Sequence, residues 1–274
     1  MSTRQAGTRI LTGLAAASVA ILAVGLLSSE AVLWVCVALF AGIAFEYSGL
    51  VRAIAPGSSA VAFLVVVPLT TSAWVLLGED AVRPLWMLAL CPLILAVAAF
   101  RGAGDPAGAV RALGLWSFGV PYLALPVWAI YELHRLGPRR LLVLLASVWL
   151  NDTAAYFVGK SLGRRKLAPR LSPAKTIEGS VAGLVSAGLV GYVGAGWLDS
   201  ESPLLFAALI LLAGVAAQCG DLVESLLKRA AGVKDSGSIL PGHGGLLDRM
   251  DAIILAAPVF YVLLATVGGP AIGD

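Results

Sequence analysis

Apolar runs long enough to cross a membrane alternate with short polar segments along the chain. About 20 consecutive apolar residues suffice for a helix to span the hydrocarbon core of a bilayer. The hydropathy pattern therefore predicts an all-α, polytopic transmembrane helical protein with about nine membrane-spanning helices. Their approximate positions are 10–28, 31–50, 59–77, 82–100, 116–134, 140–158, 177–197, 203–227 and 247–267.

The first segment combines a basic flank with an apolar run, as a secretory signal peptide does. Its apolar run continues for about 18 residues, and no small-x-small cleavage site follows it. Further apolar spans come soon after. We therefore expect a retained first helix rather than a processed segment.

The composition strengthens the assignment to a membrane. Apolar residues make up 59% of the 274 residues, charged residues make up 13%, and the mean hydropathy is +0.92. Soluble domains contain about 45–50% apolar and about 25% charged residues. The three cysteines, Cys36, Cys91 and Cys219, lack metal-site spacing, so we expect them to be small buried hydrophobic residues.

The distribution of Lys and Arg predicts the orientation in the membrane. With a cytoplasmic N-terminus and nine spans, 15 of the 19 Lys and Arg residues fall on the cytoplasmic side. The exceptions are Arg83 and the three arginines of the "HRLGPRR" loop. We therefore expect the N-terminus inside and the C-terminus outside.

Two polar linkers interrupt the apolar pattern, at residues 159–176 and 225–251, and both face the cytoplasm in this topology. On a helix, Asp221, Glu224 and Lys228 share one face, and Asp248 and Asp251 share another. A charge at a helix centre costs about 2.5–3.5 kcal/mol on insertion scales, so such residues are usually functional or paired. The candidate acids of this kind are Glu46, Asp152, Glu178, Asp221, Glu224 and Asp251.

Carboxylates beside many cations favour a site for a metal ion and a polyanion together. Mg²⁺ prefers hard oxygen ligands and shares its coordination sphere with substrate phosphates. Lys and Arg donate to phosphate oxygens, and glycines let backbone N–H groups approach an anion. Simpler interpretations stay open for single residues: His243 as a structural hydrogen-bonding group, and Glu46 as a member of a structural pair.

The second linker resembles the signature of phosphatidate cytidylyltransferases, also called CDP-diacylglycerol synthases. The matching strings are SLLKR, KD, PGHGG and DRMD, between Ser225 and Asp251. The first linker is similar to the family's second shared region, with "NDTAAYFVGK" leading to "SPAKTIEG". The family more commonly has Lys or Asn in place of Ala174. The specific resemblance covers residues 149–251 approximately.

The resemblance implies a reaction in which a phosphatidic acid oxygen attacks the α-phosphorus of CTP, giving CDP-diacylglycerol and pyrophosphate for phospholipid biosynthesis. It implies Mg²⁺ as cofactor, with a second metal ion as an open alternative. The implied partners are CTP, phosphatidic acid and the lipid bilayer, without nucleic acid, and a homodimer rests on the resemblance alone. The expected location is the cell (inner) membrane, with residues 1–135 forming N-terminal helices and 136–274 a C-terminal catalytic region.

The resemblance and the charge pattern together predict the site residues. Asp221 and Asp248 are the preferred metal ligands, while Asp152 and Asp251 are additional ligands or orienting groups. The predicted catalytic residues are Asp221, Asp248, Lys228, Arg249 and His243; the predicted substrate-binding residues are Asp152, Ser172, Lys175, Thr176, Arg229, Lys234, Gly244 and Gly245; the predicted metal ligands are Asp221, Asp248 and Asp251.

Three alternatives remain at this stage. A CTP-dependent transferase acting on an ether lipid or a polyprenol would need the same metal and triphosphate groups. A transporter or ion channel would need broken spans, inverted repeats and acids near the midplane, which this sequence does not suggest. A scaffold that binds anionic lipids would need basic residues alone.

Overall fold

The described part of the chain consists mainly of long helices and one short β-hairpin. The computed structural model describes residues 17–56, 58–76, 95, 106–239 and 244–268. The helices are α1 (Ala17–Leu26), α2 (Ser29–Ile54), α3 (Val61–Leu76), α4 (Pro106–Leu136), α5 (Pro138–Ser161), α6 (Ile177–Trp197), α7 (Pro203–Ala230) and α8 (Leu247–Leu263), which continues as a π-helical segment over Leu264–Gly268.

Among the described residues, six helices are long and apolar enough to cross a membrane: α2, α4, α5, α6, α7 and the extended α8. This confirms an all-α, polytopic membrane architecture, but nine spans and a cytoplasmic N-terminus are not confirmed. Helix α3 has 16 residues, and α1 is also shorter than a full span. The predicted span at 82–100, apart from Leu95, lies outside the described residues. The segment before residue 17, which bears on the choice between a signal peptide and a retained helix, also lies outside them.

Two helices begin with a proline that directly follows a short connection. Pro138 opens α5 directly after Gly137, whose φ of +138° suits a residue without a side chain. A single residue thus separates the end of α4 from the start of α5. Pro203 opens α7 in the same way after the turn that ends α6.

Small residues allow α5, α6 and α7 to pack closely. A Cβ added at Gly194 would lie 2.7 Å from Val143 of α5, and one added at Gly191 would lie 2.8 Å from Ile210 of α7. Such distances are too short for a real side chain, so these glycines are required by the packing. Close backbones of this kind are typical of membrane helices, in which packing rather than the hydrophobic effect holds helices together.

A buried amide network links the same three helices. The Asn151 side chain of α5 donates to the Gly214 carbonyl of α7 at 3.1 Å. The Gln218 amide of α7 donates to Asn151 Oδ1 at 2.9 Å and to the Ser180 carbonyl of α6 at 3.0 Å. The Ser180 hydroxyl donates back to Gln218. These bonds satisfy polar groups inside an apolar bundle and fix the helices at one relative height.

The first polar linker forms a two-stranded antiparallel hairpin that the all-α prediction did not include. Strand β1 (Lys166–Ala168) pairs with β2 (Ser172–Thr176), with Lys166 opposite Thr176 and Ala168 opposite Ser172. Thr176 then caps α6, since its hydroxyl oxygen accepts from the Gly179 N–H at 3.2 Å. The hairpin therefore ends at a fixed point on the bundle.

Glu178, one of the acids inside a predicted span, secures this linker. It lies in the first turn of α6 and accepts from the backbone N–H groups of Arg164 at 3.0 Å and Arg165 at 3.2 Å. Its role in this structure is local and structural.

The expectation for the cysteines is confirmed at one position and wrong at another. Cys36 is buried, whereas Cys219 is exposed on α7. An apolar position in a membrane helix can face lipid rather than protein, which a sequence pattern does not distinguish. Cys91 lies outside the described residues.

The close approach of α7 to α8 predicts the effect of adding one methyl group. A Cβ at Gly220 would collide with the main-chain oxygen of Asp251, whereas a Cβ at Gly49 of α2 meets nothing within 4 Å. We expect Gly220→Ala to destabilise the protein by about 1–3 kcal/mol. Gly49→Ala gains only helix propensity and should leave the melting temperature in detergent unchanged or slightly higher. Equal melting temperatures for the two variants would contradict the packing described here.

Candidate functional site

Polar side chains from α5, α7, α8 and the hairpin converge beside the second linker. Asp221, Glu224 and Lys228 lie on one face of α7, as their spacing predicts. The first turns of α8 bring Asp248 and Asp251 to the same place. Helix α7 ends here and α8 begins here, so the backbone reverses around the cluster.

Three carboxylates form the centre of the site. Asp221, Glu224 and Asp251 each place one oxygen so that all three oxygens lie within 4.8 Å of one another. Such a group can hold a metal ion, and carboxylate oxygens are the ligands that Mg²⁺ and Ca²⁺ prefer. One Glu224 oxygen is buried without a hydrogen-bond partner, which leaves it available to a ligand.

Two lysines screen the repulsion among these carboxylates. The Lys175 ammonium of β2 forms an ion pair with Asp221. The Lys228 ammonium lies 2.5 Å from Glu224 Oε2 and 2.7 Å from Asp248 Oδ1. When ionised, the carboxylates of Asp221, Glu224, Asp248 and Asp251 outnumber the two lysines, and a bound dication would balance the remaining charge.

Asp248 organises the linker between α7 and α8. Its Oδ2 atom accepts from the Ser236 N–H at 2.9 Å, the Ser236 hydroxyl at 2.9 Å and the Gly245 N–H at 2.8 Å. Its other oxygen contacts Lys228. Both oxygens are therefore already bonded, and Asp248 lies outside the group of three carboxylates. Its predicted role as a metal ligand stays a prediction.

Asp152 of α5 borders the carboxylate group without belonging to it. It lies close enough to interact electrostatically with Asp221 and Lys175, and Asp251 interacts with it in turn. Its predicted orienting or substrate-binding role stays a prediction.

The hairpin and α7 hold two of the predicted phosphate-binding cations in different ways. Lys175 points to the carboxylates, whereas the Arg229 guanidinium donates to the Leu171 carbonyl at 3.3 Å and to the Val233 carbonyl at 3.5 Å. Arg229 thereby connects the hairpin turn to the end of α7. Thr176 is buried and caps α6, so the structure gives it a structural contact besides its predicted substrate contact.

The other predicted residues differ in their exposure and in their contacts. Lys234 and Arg249 are exposed, and Ser172 is half-buried at the start of β2. Gly244 has a φ of +81°, which glycine adopts without strain, and Gly245 donates to Asp248. His243 lies outside the described residues, as do Pro241 and Gly242.

The prediction of site residues missed two acids. Glu224 was recognised on the polar face of α7 but was not assigned as a ligand; its i, i+3 spacing from Asp221 was the available signal. Glu46 was expected in a structural pair, but no ion pair joins it to a cation within the described part of the chain. It accepts instead from the Leu247 N–H of α8 at 2.9 Å and from the Ser236 hydroxyl at 3.3 Å. No local pattern could have indicated these distant contacts.

Comparison with known proteins gives the family. The model of the cytidylyltransferase family matches residues 7–267. The chain belongs to the cytidylyltransferase family.

Curated relatives of this family member include named enzymes and one without an assigned activity. The phosphatidate cytidylyltransferase of Bacillus subtilis (strain 168) is 46% identical over 137 residues, which cover 50% of this chain and 51% of that protein. That of Brucella suis biovar 1 (strain 1330) is 38% identical over 185 residues, or 68% and 66% respectively. The uncharacterized protein YnbB of Escherichia coli (strain K12) is 39% identical over 168 residues, or 59% and 56%. The matched part of the chain thus spans between half and two thirds of these relatives' lengths.

The family match also reaches well beyond the two linkers. It begins at residue 7, whereas the specific sequence resemblance begins near residue 149. Helices α2 and α4 therefore lie in the same family-matched region as the carboxylate group.

The three carboxylates predict a metal site. Replacing one of these carboxylates with an amide should weaken metal binding. Asp251→Asn removes one charged ligand, and we expect Mn²⁺ affinity, measured by electron paramagnetic resonance titration, to fall by about tenfold or more. Asp199→Asn makes the same chemical change at the exposed far end of α6 and should leave the affinity unchanged. Equal Mn²⁺ affinities in the two variants would remove Asp251 from the ligand set.

Proposed function

We propose that this protein transfers the cytidylyl group of CTP to phosphatidic acid, giving CDP-diacylglycerol and pyrophosphate. The observation that carries the proposal is the group of three carboxylates with two lysines, placed at the linker end of a bundle of apolar helices. The Bacillus and Brucella relatives, which are named phosphatidate cytidylyltransferases, support the same activity.

A membrane setting suits this pair of substrates. The acyl chains of phosphatidic acid stay in the bilayer while its phosphate reaches the polar linkers, and CTP approaches from the aqueous side. The positive-inside pattern favours the cytoplasmic face of the cell (inner) membrane for the site. Six apolar helices are compatible with a multi-pass protein at that location.

The proposed step exchanges one P–O bond for another. A phosphate oxygen of phosphatidic acid bonds to the α-phosphorus of CTP, and the bond from that phosphorus to the bridging β-phosphate oxygen breaks, so that pyrophosphate leaves. The attacking phosphate is already ionised at neutral pH, so no strong base is required. His243 is accordingly assigned a phosphate contact rather than proton removal.

The residues of the site have the chemistry that this step needs. Asp221, Glu224 and Asp251 would hold Mg²⁺, which supplies positive charge to the phosphates. Since CTP and phosphatidic acid repel each other, catalysis consists mainly of positioning and charge stabilisation. Asp152 faces the same group and would orient it.

The cations have two proposed tasks. Lys175 and Lys228 hold carboxylates in this structure and would turn their remaining N–H donors towards phosphate oxygens when substrate binds. The remaining predicted residues would bind the triphosphate or the lipid phosphate; they are Ser172, Thr176, Arg229, Lys234, Gly244, Gly245 and Arg249.

Asp248 is best explained by its contacts with Lys228 and with the linker. Because its oxygens are already bonded, we assign it the orientation of Lys228 and of the α8 N-terminus. The predicted ligand role would require one of these bonds to open. A second metal ion and a homodimer remain expectations drawn from the family resemblance.

The activity is tested by supplying purified protein with labelled CTP, Mg²⁺ and lipid in mixed micelles. We expect pyrophosphate release and labelled CDP-diacylglycerol only when phosphatidic acid is present. Parallel reactions with an ether-linked phosphatidic acid and a polyprenyl phosphate test the acceptor. Faster turnover of either of these lipids, or pyrophosphate release without any acceptor, would contradict the proposed substrate.

A charge substitution in the hairpin tests the role of Lys175. Lys175→Met removes the cation beside Asp221, and we expect kcat/KM to fall by about 10²–10³-fold because one stabilising donor is lost. Lys160→Met, at the exposed end of α5, changes the same chemical group away from the carboxylates and should retain wild-type kinetics. Wild-type kinetics in Lys175→Met would exclude this residue from catalysis.

A further inference from the structure

Helix α2 contributes one buried acid to the region around the site. Glu46 is only 4% exposed, and its Oε2 atom accepts from the Leu247 N–H at 2.9 Å. Leu247 is the first residue of α8 and is 201 positions away in the sequence. The first N–H groups of a helix lack partners within the helix, so this carboxylate satisfies one of them and also faces the positive end of the helix dipole.

The backbone of the linker is shaped to lie against Glu46. A Cβ at Gly245 would lie 2.8 Å from the Glu46 carboxyl carbon, and one at Gly237 would lie 2.6 Å from the same atom. One turn earlier on α2, a Cβ at Gly42 would lie 2.8 Å from the Leu246 side chain. Glycines on both sides thus permit direct contact between α2 and the linker.

A chain of polar contacts leads from Glu46 to the carboxylate group. The Ser236 hydroxyl lies 3.3 Å from Glu46 and 2.9 Å from Asp248. Asp248 contacts Lys228 at 2.7 Å, and Lys228 contacts Glu224 at 2.5 Å. Polar contacts therefore run without a break from α2 to Lys228 and end at Glu224.

Stability alone does not explain a carboxylate at this position. The second Glu46 oxygen, Oε1, is buried and has no hydrogen-bond partner. Burial of a charged or polar group without a partner opposes folding, and apolar residues often replace such groups without loss of stability. A role in arranging the linker accounts for the acid.

We propose that Glu46 is a positioning residue: it fixes the α8 N-terminus and the Ser236–Asp248 contact, and thereby orients Lys228 towards the triphosphate. This inference rests on the proposed function for its kinetic consequences, but the positioning itself is independent of it. Glu46 does not touch the three-carboxylate group, so metal affinity should not depend on it.

The test compares Glu46→Leu with Glu46→Gln. The leucine removes every acceptor, and we expect kcat/KM for CTP to fall by about 10–100-fold, as for loss of an orienting partner, with Mn²⁺ affinity changed by less than about twofold. The glutamine keeps an oxygen for the Leu247 N–H and should recover most of the activity. Glu30→Leu, at the exposed start of the same helix, is the matched control and should behave as wild type.

Hydrogen–deuterium exchange gives a readout that needs no turnover. We expect faster exchange in residues 244–250 of Glu46→Leu, but not of Glu46→Gln or Glu30→Leu. Unchanged exchange and unchanged kinetics in Glu46→Leu would overturn the proposal, and so would a glutamine variant as impaired as the leucine variant. If Glu46→Leu does not fold, Ser236→Ala provides the same test at the next contact, with wild-type exchange and kinetics overturning the proposal. Altered exchange in a protein that does not use CTP would instead leave the positioning intact and refute the proposed function.

Discussion

Carboxylates that lie close together in an apolar helix bundle repel one another, and the arrangement of this protein follows from that constraint. Asp221, Glu224 and Asp251 share one location, where the surrounding medium screens charge much less than water does. Two lysines from different parts of the chain must therefore reach them. The hairpin delivers Lys175 and the last turns of α7 deliver Lys228. A cation bound between the acids and anionic substrates beside the lysines would complete the same balance.

Much of this arrangement could be predicted from local sequence patterns. The apolar runs predicted the membrane helices, because length and composition decide whether a helix can span a bilayer. The spacing of Asp221, Glu224 and Lys228 gave their common face because helix geometry alone determines it. The two linkers were recognised from their motifs, and the family match is consistent with that recognition.

Other features depend on contacts between distant segments, which a local pattern does not encode. The register of Lys166 with Thr176 forms only when the linker folds back on the bundle. The Glu46 contact with α8 joins residues 201 positions apart. Hydropathy also treats protein-facing and lipid-facing positions alike, so the predicted burial of Cys219 was wrong. Nor does hydropathy show that the Asp248 oxygens are already bonded to Ser236, Gly245 and Lys228.

The amide network among Asn151, Ser180 and Gln218 restricts how the bundle can move. Sliding one of these helices by a single turn, about 5.4 Å, would break several buried hydrogen bonds that lipid cannot replace. Three helices therefore behave as a rigid scaffold of constant depth. Under the proposed function, the phosphate of the lipid would therefore have to reach the depth of Asp221 and Glu224, because α7 holds these two acids at a fixed depth.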